Sequence, residues 1–405
     1  MRHASHALTA LSLMLLVALF SLPLVHAEST AQLRARKLRK GINVGTIGAG
    51  ISPECCGNVA DVQQLQRMGF DHVRLGVQLS SLFNCKKPHK LEPAQLHRVL
   101  DSVKTFTDGG MPVIVTVRLK DAHGDVEFDL QKPGFVDQLA KFWRSFSSKL
   151  SHYPADKVFL EVLNEPYEDH RPYDELMLIK DWIENQQPKL IKAIRKGAHS
   201  NTIIATGARG STVYGLLWLD IRPLNEAQNV IYSFHYYQPD CFARHGWGLY
   251  PAPDSLHETT QSSCKLQKID PRANHLDEQL TSQDRAAGGS SWDKDRIGCE
   301  MDAIADWGVR NNAAIISDEF GVKKHADEER RCVNQELQDH HSPDRAIWIA
   351  DVRSQLDAHG IGWTFWDYSD CPRGGCGHDD FGLIDKSGAP DNDVLQALGL
   401  GKQSH

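Results

Sequence analysis

Two glutamates stand out from the rest of the chain because each closes an apolar run. One run is Phe159-Leu160-Glu161-Val162-Leu163-Asn164-Glu165, the other Ile315-Ile316-Ser317-Asp318-Glu319-Phe320-Gly321. A carboxylate buried at such a place is costly unless it is paired or used. Two carboxyls facing each other are what cleavage of a glycosidic bond requires. One must be protonated to assist the leaving oxygen, and the other ionised to attack or to activate water. Their mutual repulsion helps to split the two pKa values. Asn164 can hydrogen-bond a sugar 2-hydroxyl, Arg74 can hold a nucleophile anionic, and Trp366 offers a pyranose ring an apolar platform. His123, His235 and Tyr237 add polar groups suited to the same task. Singly, each has a plainer reading: a strand-end Glu is more often a helix cap or ion-pair partner, and a Tyr or Trp there is usually core. Their joint placement points to sugar chemistry.

That placement depends on the elements that carry them. Short β-rich runs occur at 42–44, 72–77, 112–117, 157–163, 202–206, 229–234, 313–317 and 361–366. Helical patterns lie between them near 59–68, 93–107, 134–150, 173–195, 295–311 and 344–359. Several strands are continuous apolar runs, such as Val113-Ile114-Val115-Thr116-Val117, as buried parallel strands should be. Strict alternation of this kind predicts an α/β fold, a (β/α)8 TIM barrel, in which strand C-termini converge on one mouth. In that frame Arg74 ends the second strand and His123 follows the third. Asn164 and Glu165 end the fourth, His235 and Tyr237 the sixth, Glu319 the seventh and Trp366 the eighth. A dinucleotide fold is disfavoured, because the Gly-rich stretch 45–50 opens no clear helix and no acidic partner follows at the right distance. The polar stretch from Cys241 to Gly298 lacks apolar periodicity and should form a long loop after strand six, over the mouth. Asp293-Lys294-Asp295 within it is a calcium-like fragment better taken as a solvated face.

The 405 residues carry a formal charge of −7, which disfavours a nucleic-acid partner. Residues 1–27 have the order of a secretory signal: Arg2 and two histidines, an apolar run, then Val25-His26-Ala27 before the cut. The mature region, 28–405, is expected to be one catalytic domain, secreted or periplasmic, with no membrane span left after cleavage. Nine cysteines in an exported chain favour disulfides over metal. Cys241 with Cys264 and Cys371 with Cys376 are candidate pairs. His257, His275, His340, His341 and His378 with Asp379 and Asp380 are conceivable metal ligands, yet none has zinc spacing. No metal and no cofactor are expected.

Taken together, several motifs resemble glycoside hydrolase family 5, the large cellulase family of clan A. They are Leu163-Asn164-Glu165-Pro166, His235-Tyr236-Tyr237, Asp318-Glu319-Phe320-Gly321 and Trp363-Thr364-Phe365-Trp366. Upstream, Lys40-Gly41-Ile42-Asn43, Gly69 through Leu75 and Ala122-His123-Gly124 are similar to its opening strands and third-strand histidine. The resemblance implies a retaining double displacement, with Glu165 as acid/base and Glu319 as nucleophile. It also implies that Arg74, His123, Asn164, His235, Tyr237 and Trp366 line the −1 subsite. One departure is Gly76, where family members often carry Pro. The expected substrate is a β-1,4-linked polysaccharide or oligosaccharide, foremost a β-glucan cleaved as by an endoglucanase, and the chain is expected to be monomeric. A β-mannanase or an exo-acting β-glucosidase is the runner-up, and a non-catalytic carbohydrate-binding barrel the reading from another class.

The segment Cys371-Pro-Arg-Gly-Gly-Cys376 generates a first prediction. Gly374 and Gly375 let the loop turn back within ~6 Å between Cα atoms, so the two cysteines should be bonded. Mass spectrometry of the exported protein should find the peptide two hydrogens light; two free thiols would refute the pairing.

Overall fold

The computed structural model describes residues 28–48, 62–84, 86–119, 128–167, 172–224, 228–244, 250, 292–325, 342–368, 380–385 and 388–401. The chain divides into two compact units, Met1–Thr30 and Ala31–His405. The first lies almost wholly outside the described residues, and so does the signal segment expected there. The second contains eight parallel strands: β1 Lys40–Ile47, β2 His72–Gln78, β3 Val113–Arg118, β4 Val158–Glu161, β5 Thr202–Thr206, β6 Val230–Tyr236, β7 Ala314–Phe320 and β8 Gly362–Phe365. They close in sequence order, β8 returning to β1 through Lys40↔Trp363 to Ile42↔Phe365. The fold is the (β/α)8 barrel that the alternation predicts.

Helices follow the strands on the outside: α1 Thr30–Ala35, α2 Val62–Met68, α3 Leu79–Leu82, α4 Pro93–Asp108, α5 Phe135–Leu150, α6 Pro172–Asp181, α7 Gln187–Gly197, α8 Val213–Leu217, α9 Asp240–Ala243, α10 Lys294–Asn311, α11 Ser342–Ala358 and α12 Asn392–Ala397. The expected single helix over 173–195 is in fact α6 and α7 joined by a π turn, Trp182–Gln186. Pro188 lacks the N–H that would continue the ladder, which accounts for the loosened turn before it. Helix α5 buries Leu139, Phe142, Trp143, Phe146 and Leu150, spaced three and four apart, against the barrel.

Strand alternation divides the barrel interior into layers. Ile114, Phe159, Ile204, Ile231 and Ile316 form an apolar floor, with Leu38 and Ala31 in the same cluster. Two residues further along the same strands stand Thr116, Glu161, Thr206, Ser233 and Asp318, all buried. The period of two carries each strand from an apolar to a polar inward position. The polar layer is therefore built on packed hydrocarbon and lies just below the mouth.

Two irregularities modify this register. Between β1 and β2, Asn43 pairs with Arg74 and Thr46 with Gly76, so β1 carries an extra residue. A Cβ at Gly76 would stand 2.5 Å from Thr46 Oγ1, so glycine here suits the bulge. Between β6 and β7, Phe234 pairs with Ser317 but His235 with Glu319. Asp318 is the extra residue, and both Asp318 and Glu319 reach the interior.

The polar stretch after strand six is helical at both ends, in α9 and α10; residues 245–249 and 251–291 lie outside the described residues. Asp293 is no solvated face: its side chain caps α10, accepting from Arg296 N at 2.9 Å. The Cys241–Cys264 and Cys371–Cys376 pairs also fall outside the described side chains. Among the described residues no helix is long and apolar enough to cross a membrane.

Close packing of β8 on the first turn after α1 generates a test. A Cβ on Gly362 would stand 1.8 Å from Leu38 O, a backbone atom. Gly362→Ala should therefore destabilise the barrel by roughly 1–3 kcal/mol in urea unfolding. Gly298→Ala, on α10, meets only the flexible end of Gln355 and gains helix propensity, so it should stay within ~1 kcal/mol of the parent. Equal effects would contradict this account of the β8 contact.

Candidate active site

The site begins with Arg74, which alternation points inward from the middle of β2. Its guanidinium is 1% exposed, and a cation so buried must be fully paired. Nε donates to Glu161 Oε2 at 2.6 Å, and Nη2 to Glu161 Oε1 at 2.7 Å. Nη2 also donates to Asn164 Oδ1 at 2.9 Å. Nη1 donates to Asn43 Oδ1 at 3.0 Å and to Glu319 Oε1 at 2.6 Å. All five N–H donors are thus used. Burial works against the cation, but Glu161 and Glu319 outweigh it and raise the Arg74 pKa well above its ordinary value.

Glu161 sits in the polar layer of β4 and also accepts from Thr116 Oγ1 at 2.7 Å. Burial, opposed by Arg74, pushes its pKa up to about 7. Asp318, two residues past Ile316 on β7, lies 3.9 Å from Arg74 Nε and 3.3 Å from His235 Nε2. Burial pulls its pKa upward, but His235 and Arg74 prevail and hold it below the aspartate range.

Glu165 and Glu319 stand above this layer. Glu165 follows β4 in a turn whose backbone is left-handed at Glu165 (φ 42°) and at Tyr167 (φ 56°). A residue before proline ordinarily stays extended, so the turn stores strain on the order of 1–3 kcal/mol. Asn164 N still bonds Val117 O at 2.9 Å, so the turn starts from fixed backbone. Glu165 Oε1 accepts from His235 Nδ1 at 2.8 Å and from Arg244 Nη2 at 2.9 Å, and Oε2 from Asn164 Nδ2 at 3.4 Å. Burial raises its pKa, but Arg244 and His235 overcome this and hold it well below the carboxylate range. Glu319 Oε2 accepts from Tyr237 Oη at 2.9 Å, with His235 Nδ1 at 3.4 Å. One oxygen of Glu165, one of Glu319 and a ring nitrogen of His235 all lie within 4.8 Å of one another.

His235 touches three carboxylates, from β4 and β7. Burial lowers its pKa, but Glu319, Asp318 and Glu165 together raise it to about 10, so both nitrogens carry protons at neutral pH. The central carboxylates Glu161, Glu165, Asp318 and Glu319 then face an equal number of cations: Arg74, Arg118, Arg244 and His235.

Of the residues expected from the sequence, Arg74, Asn164, Glu165, His235, Tyr237 and Glu319 form one connected network. Trp366 reaches it through Arg118, whose guanidinium lies 4.8 Å from the centre of its ring and 3.9 Å from Glu319 Oε1. His123 lies outside the described residues. Asn43, Arg118, Glu161, Arg244 and Asp318 were not foreseen. Two of them had a readable signal: Glu161 stands two positions after Phe159 and in phase with Glu165, and Asp318 adjoins Glu319.

Two groups could in geometry hold a cation: Glu161 with His235 and Asp318, and Glu165 with His235 and Glu319. The oxygens of Glu161, Glu165 and Glu319 already accept from Arg74, Arg244 or Tyr237, and a protonated His235 has no lone pair to offer a metal. Among the conceivable metal ligands named from sequence, only Asp380 is described. It pairs with His325 on the exposed side.

Barrel and facing carboxylates define the class, a (β/α)8 glycoside hydrolase. The family model of the cellulases, glycosyl hydrolase family 5, matches residues 40–371, and the chain belongs to that family. It is 24% identical over 296 residues to the cellulase/esterase CelE of Acetivibrio thermocellus, covering 71% of this chain and 32% of that protein. It is 21% identical over 220 residues to the xyloglucan-specific endo-beta-1,4-glucanase BoGH5A of Bacteroides ovatus, covering 50% and 44%. The chain thus spans less than half the length of these relatives. In fold it is similar to endoglucanase Cel5A of Thermotoga maritima, with TM-score 0.63 and 20% identity over 91% of this chain and 99% of that one. It is equally similar to a GH5-4 broad-specificity endoglucanase from Clostridium acetobutylicum, with TM-score 0.63 and 20% identity over 92% and 99%.

The His235 cluster implies a pH-dependent stability. Its folded pKa of about 10 exceeds the ordinary 6.5, so the folded state binds the extra proton. The stabilisation is complete below pH 6.5 and is lost as pH rises through about 10. Urea midpoints measured across that window should fall with rising pH. His235→Gln should be less stable at neutral pH but show a shallower fall, whereas parallel curves would contradict the assignment.

Proposed function

We propose that the chain is a retaining endo-β-1,4-glucanase in which Glu165 is the acid/base and Glu319 the nucleophile. The observation that carries this reading is the approach of the two carboxylates to within 4.8 Å, oxygen to oxygen, from β4 and β7. Retaining enzymes keep carboxyl carbons ~5–5.5 Å apart, whereas inverting ones leave ~6.5–9.5 Å for a water. In the first step Glu319 attacks the anomeric carbon while Glu165 gives its proton to the departing oxygen. In the second, Glu165 takes a proton from water, which displaces Glu319. Arg74 and Tyr237 aim one oxygen each of Glu319, leaving little rotational freedom at the attacking group. Trp366 and Asn164 serve the −1 sugar, and His123 joins them by its place after β3.

The β-1,4-glucan assignment draws support from relatives described as cellulase and endo-beta-1,4-glucanase. The xyloglucan specificity of one of them makes a branched glucan the second substrate to try. Export fits the apolar leader of residues 1–27, and the nine cysteines would suit an oxidising compartment.

Hydrolysis of cellulose derivative, xyloglucan, mannan and xylan, with product lengths followed over time, tests substrate and mode. Early products of mixed length from the glucans are expected; release of single sugars alone would overturn the endo reading. Glu165→Ala should cut polymer hydrolysis by about 10²–10⁴-fold yet spare the first step on an aryl glycoside with a good leaving group. Glu319→Ala should abolish both until azide is supplied. Substantial activity of Glu319→Ala without added anion would refute the nucleophile assignment.

A further inference from the structure

The reading of Glu165 as proton donor raises a chemical difficulty. Its three hydrogen-bond partners among the described residues, His235 Nδ1, Arg244 Nη2 and Asn164 Nδ2, all donate. A protonated carboxyl needs an acceptor for its own O–H, and none of these supplies one. The arrangement fits the anion and opposes the acid form.

Arg244 is a partly exposed partner of Glu165. It follows α9, a helix of one turn, and its side chain is 25% exposed, against 1% for His235. Its guanidinium lies 4.7 Å from the ring centre of Tyr237, and its Nε stands 3.6 Å from Asp240 one turn earlier. Arg244 therefore reaches two carboxylates, one buried and proposed to be catalytic, the other half-exposed. It also lines a cavity of about 150 Å³, shared with Arg209, Thr212, Tyr214, Tyr237 and Asp240. This cavity is formed by β6 and the segments following β5 and β6, and two partners of Glu165, His235 and Arg244, line it.

We propose that Arg244 is a displaceable counter-ion of the proton donor. With the cavity empty it holds Glu165 as an anion. When the leaving-group sugar enters, its hydroxyls compete for the guanidinium, Arg244 turns to Asp240, and Glu165 takes one proton from solvent hydronium. That proton passes to the glycosidic oxygen as the bond breaks, and Glu165 regains one from the attacking water in the second step. When the sugars leave and Arg244 returns, this second proton goes back to solvent, so the cycle closes. Arg244 stays paired throughout, exchanging one carboxylate for another while Glu165 is neutral. The other charged or titratable groups around Glu165 are His235 on β6, Arg118 on β3, Glu319 on β7 and Tyr237 after β6. Arg244 is accordingly a positioning residue, and the proposal rests on Glu165 being the acid.

The test compares the full chain with Arg244→Gln and Arg244→Lys. For a neutral soluble β-glucan, the basic limb of kcat/KM should move up by about one pH unit or more in Arg244→Gln and return towards the parent in Arg244→Lys. For 2,4-dinitrophenyl β-cellobioside, whose leaving group needs no acid, Arg244→Gln should not move it. Asp240→Asn, which removes the alternative partner, should shift the glucan limb downward. Coincident limbs in parent and Arg244→Gln would overturn the proposal. Carbon-13 titration of labelled glutamate carboxyls, with Glu165 assigned by its loss in Glu165→Gln, reads the same coupling without turnover. Glu165 should titrate higher in Arg244→Gln than in the parent, and an unchanged titration would likewise defeat the idea. A chain inactive on every β-glycan would sink the functional reading, while the carboxyl titration would still decide the role of Arg244.

Discussion

The structure depends on one buried guanidinium. Arg74 spends its five donors on two carboxylates and two side-chain amides, and every acceptor comes from a different segment of the barrel: β1, β4, the turn after β4, and β7. A lysine would present a point charge with three donors and could not span that set. Removing the charge would leave Glu161 and Glu319 uncompensated in the interior, a loss of the kind worth ~3–5 kcal/mol for a buried pair. The same network that keeps the barrel closed around a polar layer therefore also aims Glu319. Stability and site geometry cannot be separated at this residue.

A barrel interior filled only with hydrocarbon would have no use for Arg74, and a polar interior without hydrocarbon would not pack. The floor of Ile114, Phe159, Ile204, Ile231 and Ile316 resolves this by excluding water beneath the ionic layer. Exclusion of water strengthens each interaction above it. The near cancellation of central charges keeps such a layer tolerable. Within this balance the two glutamates differ: Glu319 is held by inward groups of β2 and by Tyr237, while Glu165 leans towards a partly exposed cation after β6, Arg244. That asymmetry is what two different chemical tasks demand of otherwise identical side chains.

Much of this was legible in the residues. Continuous apolar runs with polar ends marked eight strands, and their order placed Arg74, Asn164, Glu165, His235, Tyr237 and Glu319 on one mouth. What escaped did so for physical reasons. Glu161 lies inside an apolar run, and only the register of β3 against β4 reveals that it shares an inward layer with Thr116. Alternation points Asp318 inward and Glu319 outward, and only a break in register, which the residues do not announce, brings both to the interior. Arg244 belongs to a stretch with no apolar period, so nothing local ties it to Glu165, 79 positions earlier. Asn43 lies in a recognised opening strand, yet its bond to Arg74 is a tertiary fact.

The central claim, that Glu319 attacks and Glu165 assists, is tested most directly by trapping the intermediate. A 2,4-dinitrophenyl 2-deoxy-2-fluoro-β-cellobioside slows the second step more than it hinders the first, so the sugar should accumulate on the enzyme as an ester. Peptide mass spectrometry should then find one fluorocellobiosyl group on Glu319 and none on Glu165. A label on Glu165, or turnover with inverted anomeric configuration and no adduct, would contradict the account.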